Sequence, residues 1–209
     1  RELWQRRLAP FDANLRHGIR ARRPDVPTLS GPDPGWAAAG ARVVARIAAA
    51  LAGRGAEVEH VGSTSVPGLL AKDVVDVQVS VHRLAAADDP GFVAAMGRAG
   101  YVLVPGNVQD HPHPAGAAPG EWTKRFYGGC DPGRVVHVHV RESGSAGARF
   151  AVVFRDWLRA EPSVREEYAA LKSRLAASNA TTCAYSEAKE PWFVTAYDRA
   201  MAWAGDGHR

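Results

Sequence analysis

The sequence predicts an α/β (α+β) protein: a small mixed sheet with flanking helices and a helical C-terminal part. Three observations carry that expectation. Two apolar, β-rich runs flank a turn of small residues between positions 56 and 80. Two more runs, within 122–141, are joined through Gly128, Gly129, Asp131, Pro132 and Gly133, as in an antiparallel hairpin. From position 148 onward apolar residues recur at helical spacing.

In chain order, Leu3, Leu8, Phe11, Leu15 and Ile19 predict an amphipathic helix over 2–22 that Pro10 kinks or breaks. Pro24, Pro27, Pro32 and Pro34 with Gly31 make 24–34 a linker. An Ala-rich helix over 35–53 carries Val43, Val44, Ile47 and Leu51 on one side and ends at Gly53 and Gly55. A strand over 56–60, the small-residue turn and a strand over 74–80 follow. Phe92, Val93 and Met96 mark a short helix, 101–104 a strand, and the Pro- and Gly-rich stretch 105–121 a long loop. After the hairpin come helices over 148–159, 163–178 and 187–204, with Trp157, Trp192 and Trp203 expected in the core.

At 209 residues, 46% hydrophobic and 23% charged, the chain has the composition of an ordinary globular protein with a sizeable core. No apolar run approaches the ~20 residues that cross a bilayer, and the first residues lack a signal-peptide pattern, so the expected location is cytoplasmic with no membrane partner. Cys130 and Cys183 lie far apart without Cys-x-x-Cys spacing and are expected as reduced thiols. The net charge of +4 sits at one end: Arg1, Arg6, Arg7, Arg16, Arg20, Arg22 and Arg23 oppose only Glu2 and Asp12, leaving the rest nearly neutral. A basic footprint confined to one terminal helix argues against nucleic acid as a partner.

The stretch most suggestive of chemistry is His60-Val61-Gly62-Ser63-Thr64-Ser65-Val66-Pro67-Gly68, followed by Lys72 and by Asp76 on the next strand. Gly62, Ser63 and Thr64 offer backbone N–H groups and hydroxyls to a phosphate, and Asp76 a carboxylate to the divalent cation, Mg or Mn, that accompanies a nucleoside triphosphate. The alternative is that the turn merely joins two strands and caps itself. Strand alternation puts Asp76, Gln78 and Ser80 on one face, pointing outward. The same rule puts His137 and His139 on one face of their strand; if it neighbours the Asp76 strand, Asp76, His139 and His137 converge as metal ligands, and imidazole then favours zinc, manganese or iron over magnesium, the alternative being half-buried histidines that only hydrogen-bond within the sheet. Lys72, Lys124, Arg125, Arg141 and Lys189 are candidates for gripping phosphate oxygens, with Arg125 and Arg141 making one hairpin face basic; for each singly the favoured alternative is a solvated surface charge or a salt bridge. The loop His111-Pro112-His113 is expected as an exposed surface loop rather than a metal site.

The block 59–69 with Ala71, Lys72 and Asp76, the later Val136-His137-Val138-His139-Val140, Phe154-Arg155-Asp156-Trp157-Leu158, Tyr168-Ala169-Ala170-Leu171-Lys172 and Ala188-Lys189-Glu190-Pro191-Trp192-Phe193 resemble the GrpB family over about residues 33–205. That resemblance implies a nucleotidyltransferase-like fold with no agreed substrate. The superfamily's Gly-Ser turn is followed by two carboxylates alternating with apolar residues; here Asp76 stands in the first place and Gln78 in the second. The segment 2–15 resembles the closing helix of actinobacterial dephospho-CoA kinases, some of which carry a GrpB-like domain after the kinase. The implied organisation is the end of a kinase domain over 1–23, a linker over 24–34 and a GrpB-like domain over 35–205, cut from a longer polypeptide. No P-loop occurs in the sequence, so kinase chemistry belongs elsewhere. Three readings stay open: an accessory domain of a coenzyme A biosynthetic fusion that binds a nucleotide or small phosphate ligand or aids folding of its kinase partner; an active nucleotidyltransferase using Asp76 and His139; and a protein-interaction module.

Overall fold

Residues 26–114, 118–131 and 134–207 are described by the computed structural model, with isolated positions among the first 25; the expected helix over 2–22 lies outside the described stretches. The elements run α1 (Gly35–Ala50), β1 (Glu57–Val61), β2 (Val74–Val81), α2 (Pro90–Arg98), β3 (Val102–Leu103), β4 (Lys124–Asp131), β5 (Arg134–Glu142), α3 (Ala146–Ala160), α4 (Pro162–Ser178), α5 (Thr182–Glu187) and α6 (Glu190–Gly205).

The strands form one mixed sheet in the order β1-β2-β5-β4-β3. β2 and β5 pair in parallel, and every other neighbouring pair is antiparallel. Alternation along the two central strands sorts side chains cleanly. Val75, Val77, Val79 and Val81 of β2 join Val136, Val138 and Val140 of β5 in a core closed by Val43 and Ile47 of α1 and Phe92 and Met96 of α2. The opposite face carries Asp76, Gln78, His137, His139 and Arg141, and it is the C-terminal helices that close over it. Those helices hold a second core, in which Val153, Trp157 and Leu158 of α3 pack with Val164 and Tyr168 of α4 and Ala196 and Ala200 of α6. Val66 and Leu69, from the turn after β1, belong to this second core and fasten the helices to the sheet.

Local signals explain most boundaries. Asp89 accepts from Phe92 N to start α2, with Pro90 at its first position, and Ser145 and Thr181 cap α3 and α5 in the same way. The Thr181 cap produces α5, a helix not anticipated from the sequence. β3 is shorter than expected because Tyr101 is drawn into the core at 1% exposure and Pro105-Gly106 turns the chain. β4 starts at Lys124 rather than 122, since Pro119–Trp122 forms a 3₁₀ turn, and it runs on through Gly129, where a Cβ would lie 2.6 Å from the Tyr101 ring. The expected linker is docked from Ser30 onward: Ser30 and Ala71 exchange backbone hydrogen bonds, and Arg134 bridges Asp33 and Asp73.

Helix α1 crosses β1 at close range, and Gly40 is the point of nearest approach. A Cβ there would stand 2.1 Å from Nδ1 of His60. Although alanine is the better helix former, Gly40→Ala should cost about 1–3 kcal/mol in chemical denaturation, and adding His60→Ala should recover most of it; an unchanged midpoint for the single variant would show that α1 is free to shift.

A cationic cavity with an aspartate and two histidines

The site begins with register. Pairing of β2 with β5 sets Asp76 opposite His137 and Gln78 opposite His139. Asp76 Oδ1 lies 3.3 Å from His137 Nδ1 and 3.6 Å from His139 Nε2, and one ligand atom from each of the three residues lies within 4.8 Å of the others. Gly62 backs this cluster. Its φ of 71° suits glycine, and a Cβ would come 2.7 Å from Asp76 Oδ2, so the Gly-Ser turn presses on the carboxylate from behind.

Burial alone would raise the Asp76 pKa, but hydrogen bonds and charge from His137 and His139 outweigh it and hold the group well below the usual carboxylate range. His139 is pushed down to about 4 by burial against the opposing pull of Asp76, so its ring is neutral at pH 7, the form that ligates a metal. Its Nδ1 is buried without a hydrogen-bond partner among the described residues. A carboxylate with two imidazoles, all aimed at one point, fits a divalent ion of the manganese, iron or zinc kind better than magnesium.

Above the cluster is a cavity of about 420 Å³ between the polar sheet face and the helices. Ser63 and Lys72 enter it from the turn, Tyr168 and Lys172 from α4, Tyr185 from α5 and Lys189 from the residue preceding α6. Lys172 is 2% exposed. It donates to Ser63 Oγ at 3.1 Å and to the Leu70 carbonyl, and its Nζ stands 4.7 Å from the Tyr168 ring centre. No ion pair to Lys172 occurs among the described residues. Burial, then repulsion from Lys189 and Lys72, lowers its pKa to about 7. Lys189 is lowered too, mainly by burial, and lies over the Tyr185 ring at 4.9 Å.

Several residues singled out in the sequence stand elsewhere. Thr64 turns away from the cavity, donating to the Val74 carbonyl and meeting His60 Nε2 at 3.0 Å. Arg125 lies on the opposite sheet face, opposite Val140, where it holds Asp88 through two 2.6 Å hydrogen bonds; the period of two puts Lys124, not Arg125, on the same face as Arg141, so the expected basic hairpin face is corrected. Arg141 and Lys124 are buried and committed to Asp110. Gln78 is not outward but 2% exposed, its amide spent on the Ala148 carbonyl and on Arg141. His113, expected on the surface, is 6% exposed among Trp122, Phe150 and Tyr197. Lys172, Tyr168, Tyr185 and Asp110 were not picked out as site residues. For the first two the available signal was the Tyr168-x-x-x-Lys172 spacing, which puts both on one helix face.

The Lys172 shift has a signed consequence. Its folded pKa lies below the unfolded value of 10.5, so the charged lysine costs the fold stability in full below about pH 7, and that cost is relieved as rising pH takes the proton from the folded group first. The stability difference between the protein and Lys172→Met should be flat below pH 7 and move in favour of the unmodified protein as pH rises from 7 toward 10.5. A difference independent of pH would mean that Lys172 stays fully protonated in the fold.

Comparison with known proteins places this architecture. A family model described as GrpB protein matches residues 27–199. The dephospho-CoA kinase of Mycolicibacterium paratuberculosis is 39% identical over 217 residues, covering 97% of this chain and 52% of that protein; the chain thus spans about half the length of the kinases it matches. A UPF0157 protein of Streptomyces coelicolor is 39% identical over 167 residues, covering 74% of this chain and 80% of its own length. The crystal structure of conserved protein GrpB from Enterococcus faecalis superposes with a TM-score of 0.69 at 23% identity, covering 85% of this chain and 99% of that one, a likeness of fold. The chain belongs to the GrpB family.

Proposed function

We propose that this domain binds a nucleotide or a related phosphate-bearing small molecule, together with a divalent transition ion, as an accessory domain within a dephospho-CoA kinase fusion. The observation that carries the reading is the convergence of Lys72, Lys172 and Lys189 on the cavity whose floor is Asp76, His137 and His139. A buried lysine with no carboxylate beside it is costly to keep charged, and an anionic ligand removes that cost. The other carboxylate lining the cavity, Asp110, is already matched by Lys124 and Arg141. Asp76, His137 and His139 would hold the ion, which when bound supplies positive charge to phosphate oxygens. Ser63 and the lysines orient those oxygens. The fusion reading rests on the kinases whose length the chain half covers, with the kinase domain as its partner in the longer chain.

A second reading, metal-dependent nucleotidyl transfer with Asp76 and His139 as catalytic residues, is favoured by the presence of three converging ligands instead of a lone Asp76. The place of the superfamily's second carboxylate, however, is held by Gln78, which has no free group for an ion.

Calorimetric titration of the protein with inorganic tripolyphosphate and with ATP, each in the presence of Mn²⁺, tests the binding reading. Binding should be saturable, should lose its dependence on Mn²⁺ in Asp76→Ala, and should weaken about ten- to a hundredfold in Lys172→Met or Lys189→Met, the range for loss of a charged hydrogen bond. Affinity should also fall as pH rises above about 7, since the bound anion returns to Lys172 a proton that the empty cavity releases there. Silence with both phosphates, with and without the ion, would overturn the proposal. Pyrophosphate release from ATP on addition of an acceptor would establish the second reading.

A further inference from the structure

The cavity has a neighbour whose chemistry is different. A recess of about 210 Å³ shares Asp110 and Phe193 with it as common lining. Consecutive residues at the start of α6 divide between the two: Lys189 lines the cavity and Glu190 the recess. Its walls are flat and aromatic. Trp122, Phe150, Phe154 and His113 line it together with Phe193, and they stack on one another as edge-to-face and tilted pairs: Trp122 with Phe150 at 6.2 Å, His113 with Trp122 at 5.5 Å, and Phe154 with Phe193 at 5.3 Å.

The polar groups at the recess are two carboxylates, Asp110 and Glu190, the imidazoles of His111 and His113, Arg141, and the Trp122 indole N–H, which is buried without a hydrogen-bond partner among the described residues. Glu190 is 29% exposed, with Oε1 3.1 Å from His111 Nδ1 and Oε2 3.5 Å from His113 Nε2. Burial lowers the His113 pKa against the opposing charge of Glu190. Arg141, the cation lining the recess, is bound by Asp110 and Gln78. Among the described residues no lysine lines the recess, and its carboxylates disfavour a phosphate. A planar ring gains stacking on the aromatic walls, and a ring bearing an amino group gains a hydrogen bond to Glu190. The volume, below the ~300–1,000 Å³ of sites for drug-sized ligands, suits one heterocycle and not a whole nucleotide.

We propose that this recess receives the amino-bearing base of a nucleotide whose phosphates occupy the lysine cavity, so that the two chambers are one bipartite site for a nucleoside polyphosphate. The inference rests on the phosphate reading above and adds the position of the base and its selection. Specificity follows from the carboxylate: adenine, guanine and cytosine present N–H donors on an exocyclic amine, whereas uracil does not.

The test fills the recess without touching the cavity. Ala151, on α3, lines the recess and not the cavity, and Ala151→Phe places a ring where the base would lie. With Mn²⁺ present, ATP, GTP, CTP, UTP and inorganic tripolyphosphate are titrated into the protein and the variant, and thermal melting verifies that the variant folds. The expected result is at least a tenfold loss of affinity for the amino-bearing nucleotides with tripolyphosphate binding within twofold of the unmodified protein. A second variant, Glu190→Gln, leaves the volume nearly constant and should narrow the preference for ATP, GTP and CTP over UTP. Equal loss for tripolyphosphate and nucleotides in Ala151→Phe, or no loss for either, would overturn the base site while leaving the phosphate reading intact. Failure of the unmodified protein to bind tripolyphosphate or any nucleotide would overturn both.

Discussion

The parallel pairing of β2 with β5 is the constraint on which the remainder of the molecule rests. Eight consecutive residues match across it, from Val74 with Val135 to Val81 with Glu142. Because side chains alternate with a period of two, this one register settles both faces together: seven valines go to the packed side, and the aspartate and both histidines to the other. A slip by one residue would bury Asp76 among the valines and expose the valines to the cavity. The hydrophobic core thus fixes the geometry of the Asp76, His137 and His139 cluster.

The polar face of the sheet is closed by a second layer that brings its own charges. α3 to α6 make an aromatic-rich core of their own, yet at their contact with the sheet they present lysines and tyrosines. Arg141, Lys124 and Asp110 form a buried charged knot in which each cation meets the same carboxylate, and Asp110 lines both chambers. Such a knot is a modest source of stability once desolvation is counted, but it fixes positions, because a displaced member leaves an unpaired buried charge.

Most of the fold was legible because its signals are local. The valine alternation on β2 and β5 and the helical spacing of apolar residues from position 148 onward each act within a few residues, whereas Gly128 and Gly129, read as part of the hairpin connection, lie inside β4. The convergence of Asp76 with His137 and His139 was legible too, conditional on the two strands being neighbours. What remained hidden depends on distant packing. Arg125 and Lys124 differ by one position, and only the observed register tells which of them faces the site. Lys172 looks in sequence like any helical lysine; its burial is imposed by the docking of α4 over the Gly-Ser turn. His113 sits in a Pro-flanked loop whose composition suggests exposure, and aromatic rings from α3 and α6 enclose it.

The reach of Lys172 to Ser63 and Leu70 joins positions more than a hundred residues apart in the chain. The walls of the cavity therefore come together only when the last helices have settled on the first strands. An anion bound there, as proposed above, would be held by both halves and would favour the folded form by mass action. The concentration of such a ligand would then set how firmly the helices stay closed on the strands.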